Sequence, residues 1–220
     1  MSESVLVLGG SGNGKSYSLR NLDPKKTMIV SVDGKRLPFR MGEWSKFSSE
    51  NLDGSFYIPP KENLYGCVKG AMKKAAELGK KIIVVDDSQY MLANSFFKRA
   101  LERGFDKFNE LGHDFWMFLD FTRSLPDDVI VYLMHHTDTN DMGEIKPKTI
   151  GKMLDDKGCV EGKFSICLLA KKTDGEFKFH SRIDNQPVIK APPEMFDPAM
   201  MDNDIVTVDD SIREFYGMEK

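Results

Sequence analysis

Three cysteines among 220 residues are too few for a disulfide scaffold. Cys67, Cys159 and Cys167 form no C-x-x-C pair, so the usual zinc and redox motifs are excluded as well. So sparse a count suits a reducing cytosol. No apolar run approaches the roughly 18 residues of a membrane span. The first expected strand begins by about residue 4, which leaves no room for a secretory leader. Charge of one sign is also lacking. Lys and Arg number 31, Asp and Glu 34, and the net charge is −3. A generic polycation is thereby excluded, and any contact with nucleic acid must come from a local basic patch. Internal repeats and low-complexity tracts are absent, and residues 137–163 contain no arginine.

What is present begins with Gly9-Gly10-Ser11-Gly12-Asn13-Gly14-Lys15-Ser16, which reads G-x-x-x-x-G-K-S. It follows the apolar run Val5-Leu6-Val7-Leu8 and precedes residues 15–22, which are expected to be helical. This is the strand–loop–helix setting of a phosphate-binding loop. Glycines let successive N–H groups face one concavity, and a following helix would aim its positive end there. Lys15 is placed to reach the β- and γ-phosphates, and the Ser16 hydroxyl to ligate Mg²⁺.

Further strands are expected at residues 28–32, 56–58, 82–85 and 129–134. The runs Ile82-Ile83-Val84-Val85 and Val129-Ile130-Val131-Tyr132-Leu133-Met134 are continuous, as suits strands buried on both faces of a parallel sheet. Leu64, Val68, Ala71, Met72, Ala75 and Leu78 fall on one helical face, with Gly79 as a cap. A second helix is expected from an Asn94 cap through Phe97, Leu101, Phe105 and Phe108 to about Gly112. A third, capped by Asp114, carries Phe115, Phe118, Leu119 and Thr122 inward. Residues 137–163 read as a lysine-bearing loop. Asp174-Gly175 marks a hairpin between residues 164–171 and 176–183. The alternation argues for an α/β fold with right-handed crossovers. One domain over residues 1–196 is expected, followed by an acidic tail at 197–220.

Ligands of such sheets sit at the carboxyl ends of the strands. Four strand ends here carry polar groups: the glycine loop, Asp33, Asp86-Asp87 and His135-His136. Asp86 fits the acid that contacts Mg²⁺ or its water. Asp87 and Asp33 compete as the acid that orients the attacking water. His135 is either a sensor of the γ-phosphate or a packed strand-end residue. Lys146, Lys148 and Lys152 either grip nucleic-acid phosphates, reach a neighbouring subunit's nucleotide, or lie on a solvated loop. No arginine is evidently placed to act in cis.

The loop G-x-x-x-x-G-K-S, the segments I-I-V-V-D-D-S and V-I-V-Y-L-M-H-H, and I-K-P-K-T-I-G-K-M-L together resemble the RecA-like AAA-domain ATP-binding proteins of bacteriophages. Some of these are Sak-type single-strand annealing or recombination ATPases. The resemblance spans about residues 3–196. It implies a RecA-like P-loop ATPase core that binds ATP and Mg²⁺ and assembles into rings or filaments. It further implies a role on single-stranded DNA in phage recombination or replication, in the host cytoplasm, with phage replication proteins as further partners. Under it Lys15 and Ser16 hold phosphate and metal, Asp86 is the metal acid, His135 the sensor, and Lys148 and Lys152 act in trans. Asp33 stands where RecA-type proteins usually carry Glu, which implies slow turnover. The acidic tail would then compete with DNA for the lysine loop. The rival reading is an ATP-switched loader of another replication protein with little DNA affinity.

Overall fold

The computed structural model describes residues 1–104, 106–151 and 153–219. Its framework is an eight-stranded sheet. In chain order the strands are β1 (Glu3–Leu8), β2 (Thr27–Ser31), β3 (Phe56–Tyr57), β4 (Ile82–Asp86), β5 (Ile130–His135), then β6 (Thr137–Thr139) and β7 (Ile145–Pro147), which form a separate small hairpin. β8 (Ile166–Thr173), β9 (Glu176–His180) and β10 (Met200–Asp202) complete the main sheet. Its order is β10-β9-β8-β1-β5-β4-β2-β3. All pairings from β8 to β3 are parallel, and only β9 and β10 add antiparallel pairs. The expected α/β architecture, a mainly parallel sheet flanked by helices, is therefore what the chain adopts, with the Asp174-Gly175 turn closing the β8–β9 hairpin.

Both faces of the sheet are covered, which is why the central strands are apolar without alternation. Leu6, Leu8, Val30, Ile83, Val85, Val131 and Leu133 point to one side. Helices α1 (Leu64–Glu77), α2 (Gln89–Lys98) and α3 (Asp106–Thr122) lie over it through Val68, Met72, Met91, Phe115 and Phe118. Val5, Val7, Ile29, Val84, Tyr132 and Met134 point to the other side. There they meet Leu19, Leu22 and the residues Ile205, Val208 and Ile212 of helix α4 (Ile205–Tyr216).

Three expectations are corrected. The segment after the glycine loop is a four-residue 3-10 turn, Ser16–Leu19, not a helix to residue 22. Four residues build no macrodipole of consequence, so a phosphate here would rely on loop N–H groups and Lys15. The aromatic helices break at Gly104, whose φ is +90°, and α3 runs unbroken through Gly112. A Cβ on Gly112 would approach Met153 Sδ to 3.1 Å, so this glycine serves packing rather than a stop. Phe105 lies outside the described residues.

Third, the described residues 197–219 of the expected tail at 197–220 are built into the sheet and its cover, not set beyond them. β10 pairs with β9, and Ile205, Val208 and Ile212 are fully buried. Asp204 caps α4 by accepting the Val206 N–H at 3.0 Å, and Gly217 closes it at φ +65°. Inside, Arg213 Nε donates to Asp209 Oδ2 at 2.6 Å while the Tyr132 hydroxyl donates to Asp209 Oδ1 at 2.9 Å. Asp202 pairs with Lys178. The acidic residues of this segment largely serve its own docking. No helix among the described residues is long and apolar enough to cross a membrane.

Candidate active site

The parallel register aligns the strand ends that carry chemistry. Leu8 pairs with His135 on one side and Leu169 on the other, and Ser31 pairs with Asp86. The glycine loop therefore springs from the middle of the sheet, with β5 between it and the Asp86 strand. Gly9 allows β8 to come close, because a Cβ there would lie 2.7 Å from the Ala170 carbonyl oxygen. Gly14, at φ +87°, sits under the Phe177 ring, whose Cγ would be 2.9 Å from an added Cβ. A side chain at either position would reshape the loop.

A cleft of about 410 Å³ opens over this loop, a size suited to a small-molecule ligand. Ser11, Gly12, Asn13, Gly14, Lys15 and Ser16 line one wall, and Asp86, Asp87 and His136 the other. Lys15 folds back so that its Nζ donates to the carbonyls of Gly9 at 2.7 Å and Gly10 at 3.0 Å. Burial pushes its ammonium down to about 8, against the pull of Asp87 and Asp86. Carbonyl partners are weaker for an ammonium than charged oxygens, so an incoming phosphate can draw Lys15 away from them.

Ser16 Oγ donates to the Asp86 carboxylate, at 2.9 Å to Oδ1 and 3.0 Å to Oδ2. Asp86 is only 5% exposed. Burial, and then the neighbouring Asp87, raise its pKa to about 6 despite the Ser16 bond. The pair offers two hard oxygen ligands beside the further carboxylate of Asp87. That donor set fits Mg²⁺, which binds through one or two protein oxygens, substrate phosphates and water. Among the described residues no group of three His, Cys, Asp or Glu gathers elsewhere to hold a metal.

Asp87 and Asp33 are brought together by a residue that the motif reading passed over. Lys35 Nζ lies 3.1 Å from Asp33 Oδ2 and 3.2 Å from Asp87 Oδ2. The other Asp87 oxygen, Oδ1, is 3.3 Å from His136 Nε2. Burial alone would raise the Asp87 pKa, but the His136 and Lys35 contacts outweigh it and hold the carboxyl below its ordinary value. Tyr90 stands behind, its ring 4.7 Å from Lys35 Nζ. Asp87 lines the cleft; Asp33 does not. Arg36 also lines the cleft, which corrects the expectation that no arginine is placed in cis.

The two histidines divide their tasks. His135 is fully buried and does not line the cleft. Its Nε2 lies 2.8 Å from the Lys148 carbonyl and its Nδ1 2.9 Å from Ser88 Oγ. A neutral ring that donates from Nε2 and accepts the Ser88 hydroxyl proton satisfies both contacts. Both nitrogens are thus taken up inside the protein, so the packed reading of His135 fits this geometry and His136 is the one facing the cleft. Lys148 is gripped twice, since its N–H also donates to the His136 carbonyl at 2.9 Å. Its side chain is exposed, whereas Lys146 pairs with Asp155 at 3.6 Å. Lys152 lies outside the described residues.

Burial lowers the His135 pKa from 6.5 to about 4. Between these values the unfolded chain binds a proton that the folded chain refuses, so stability holds above pH 6.5 and falls as pH drops toward 4. Asp86, with its raised pKa, acts in the opposite sense over that window, so the test is a difference: relative to wild type, the urea midpoint of His135→Asn should gain with falling pH by the share of one proton. A difference that does not change with pH would mean the ring is not held neutral.

Lys35, Tyr90 and Phe177 had no motif to mark them, and His136 was marked only together with His135. The available signals were position alone: Lys35 two residues past a strand-end Asp, His136 one past a strand end. No family model matches the chain, and no curated protein matches it. Two solved structures are similar to it at low identity. One is a KaiC-like protein from the hyperthermophilic archaeon Pyrococcus horikoshii, at 12% identity and TM-score 0.41, covering 81% of this chain and 76% of that one. The other is the genome packaging NTPase of Sulfolobus turreted icosahedral virus 2 in complex with ATPγS, at 9% identity and TM-score 0.41, covering 84% and 78%.

Proposed function

We propose that this chain is a Mg²⁺-dependent ATPase of slow turnover whose work is done on single-stranded DNA. The observation that carries the nucleotide reading is the Ser16–Asp86 contact at 2.9 Å, beside a glycine loop whose Lys15 is held only by carbonyls. Lys15 takes the β- and γ-phosphates of the nucleotide. Ser16 and Asp86 hold the metal, which neutralises charge on the phosphates when bound. Asp87 orients water for in-line attack: the water oxygen bonds to the γ-phosphorus as the bridging P–O bond breaks, and ADP leaves with that electron pair. Asp87 is preferred to Asp33 because only Asp87 faces the cleft. Its short side chain, held by two partners, suits slow rather than fast hydrolysis.

The DNA reading rests on the resemblance to the phage recombination ATPases and on the exposed Lys148, whose backbone is fixed by the two histidines at the rim of the site. Subunit assembly into a ring or filament, and phage replication proteins as partners, belong to the same reading. Hydrolysis should be measured with and without single-stranded DNA, with Lys15→Ala alongside. Stimulation by DNA that the variant abolishes is the expected result. Nucleotide binding without any DNA effect would replace this reading by an ATP-switched loader of another protein. Failure to bind nucleotide at all would remove both.

A further inference from the structure

Resting on that reading of the cleft, the geometry points to Lys35 as a cis ligand of the γ-phosphate that also controls when Asp87 becomes available to water. The sequence led to a cation supplied in trans from the 146–152 lysines. Of these, Lys146 is paired with Asp155, and Lys148 is bound to the site through its backbone. Lys35, by contrast, lines the same cleft as the glycine loop, Asp86 and Asp87.

The argument turns on how the carboxylate oxygens are shared. Asp87 Oδ1 faces His136 Nε2, and Asp87 Oδ2 faces Lys35 Nζ. Lys35 has a second anchor in Asp33 Oδ2, and its side chain remains 57% exposed. An ammonium so exposed has a low barrier to exchanging one oxygen anion for another. A terminal phosphate beside Lys15, Ser16 and Asp86 carries more charge than a carboxylate and lies against the same wall. It draws Lys35 Nζ from Asp87 Oδ2 while Asp33 keeps the side chain in reach.

The transfer does two things. It places a second positive charge, with Lys15, on the phosphoryl group that is being transferred to water. It also frees one oxygen of Asp87, because His136 still holds Oδ1 and so keeps the carboxylate in place. Asp87 Oδ2 then accepts a proton of the attacking water, which passes to the released phosphate. A nucleoside diphosphate has no terminal group to draw Lys35, so Lys35 stays on the two acids. Discrimination of triphosphate from diphosphate and readiness for hydrolysis come from one side chain.

The test is to measure Kd for ATPγS and for ADP, both with Mg²⁺, in the wild-type chain and in Lys35→Ala and Lys35→Arg. One charge-assisted hydrogen bond corresponds to about a ten- to hundredfold change in Kd. Lys35→Ala is expected to weaken ATPγS binding by that factor, to leave ADP within about twofold, and to lower the hydrolysis rate. Lys35→Arg should recover part of the preference for triphosphate. Thermal unfolding of the variants should stay close to wild type, since the residue is exposed. Equal losses for the two nucleotides, or no loss for either, would overturn the role of Lys35 while leaving the ATPase reading intact. A wild-type chain that binds neither nucleotide would overturn both.

Discussion

Truncation after Phe196 leaves no cooperatively folded protein. The missing segment supplies β10 and α4, and with them Ile205, Val208 and Ile212, all fully buried on the second face of the sheet. At about 1.5–3 kcal/mol for each buried aliphatic side chain, their loss comes to roughly 5–9 kcal/mol. A domain of this kind has only about 5–15 kcal/mol in total. The truncation also strips the cover from Val5, Val7 and Tyr132 and removes Asp209, the acceptor of the buried Tyr132 hydroxyl. Circular dichroism with urea titration should show the transition lost. A cooperative transition at an unchanged midpoint would mean the segment is dispensable. An experiment that deletes this segment to ask whether its acids compete with DNA would therefore report on folding instead.

Asp86→Asn is expected to move activity and stability in opposite directions. Hydrolysis should fall by at least about a hundredfold, the scale on which removing one electrostatic contact from a reacting centre acts. The folded chain without nucleotide should become more stable. Asp86 is buried, its neighbour Asp87 repels it, and its pKa stands near 6, so a neutral amide of the same shape relieves a cost on the order of 1–2 kcal/mol. In a chain of this length that raises Tm by about 2–8 °C. Ser16 can still donate to the amide oxygen, so the relief is not cancelled by a lost bond. Differential scanning calorimetry and a phosphate-release assay on the same preparation decide the matter. A lower Tm with hydrolysis intact would make the Ser16–Asp86 pair a structural turn. Opposed changes are what a strained functional site predicts.

The parts legible in the sequence were those whose physics is local. The glycine loop declares itself by spacing, and β4 and β5 by uninterrupted apolar runs that suit a doubly covered sheet. The α1 face and the Asp174-Gly175 hairpin followed the same logic. What escaped depended on distant neighbours. Whether His135 or His136 faces the cleft is decided by β5 lying between β1 and β4, a fact of topology that adjacent histidines do not encode. Gly104 and Gly112 look alike in a helical stretch, yet one adopts a positive φ and the other makes room for Met153, forty-one residues onward. In α4 the spacing of Ile205, Val208 and Ile212 is helical and a short helix is expected here, but the acids between them hid that its apolar face docks on the sheet. Lys35 sat in an aperiodic basic stretch, and only the meeting of two strand ends gave it a function to serve.

The placement of β1 has a consequence for the order in which this molecule can be made. β1 and its loop are synthesised before the strands that flank them, β5 and β8, and Leu8 finds its partners only at His135 and Leu169. Ala170, which closes against Gly9, and Phe177, which roofs Gly14, come later still. On a ribosome the phosphate cradle is thus unfinished until β8 and β9 have emerged, although its motif lies wholly in the loop after β1. Nucleotide can then report the closing of β8 and β9 around the loop, since the segment that carries the motif becomes a binding site only with them.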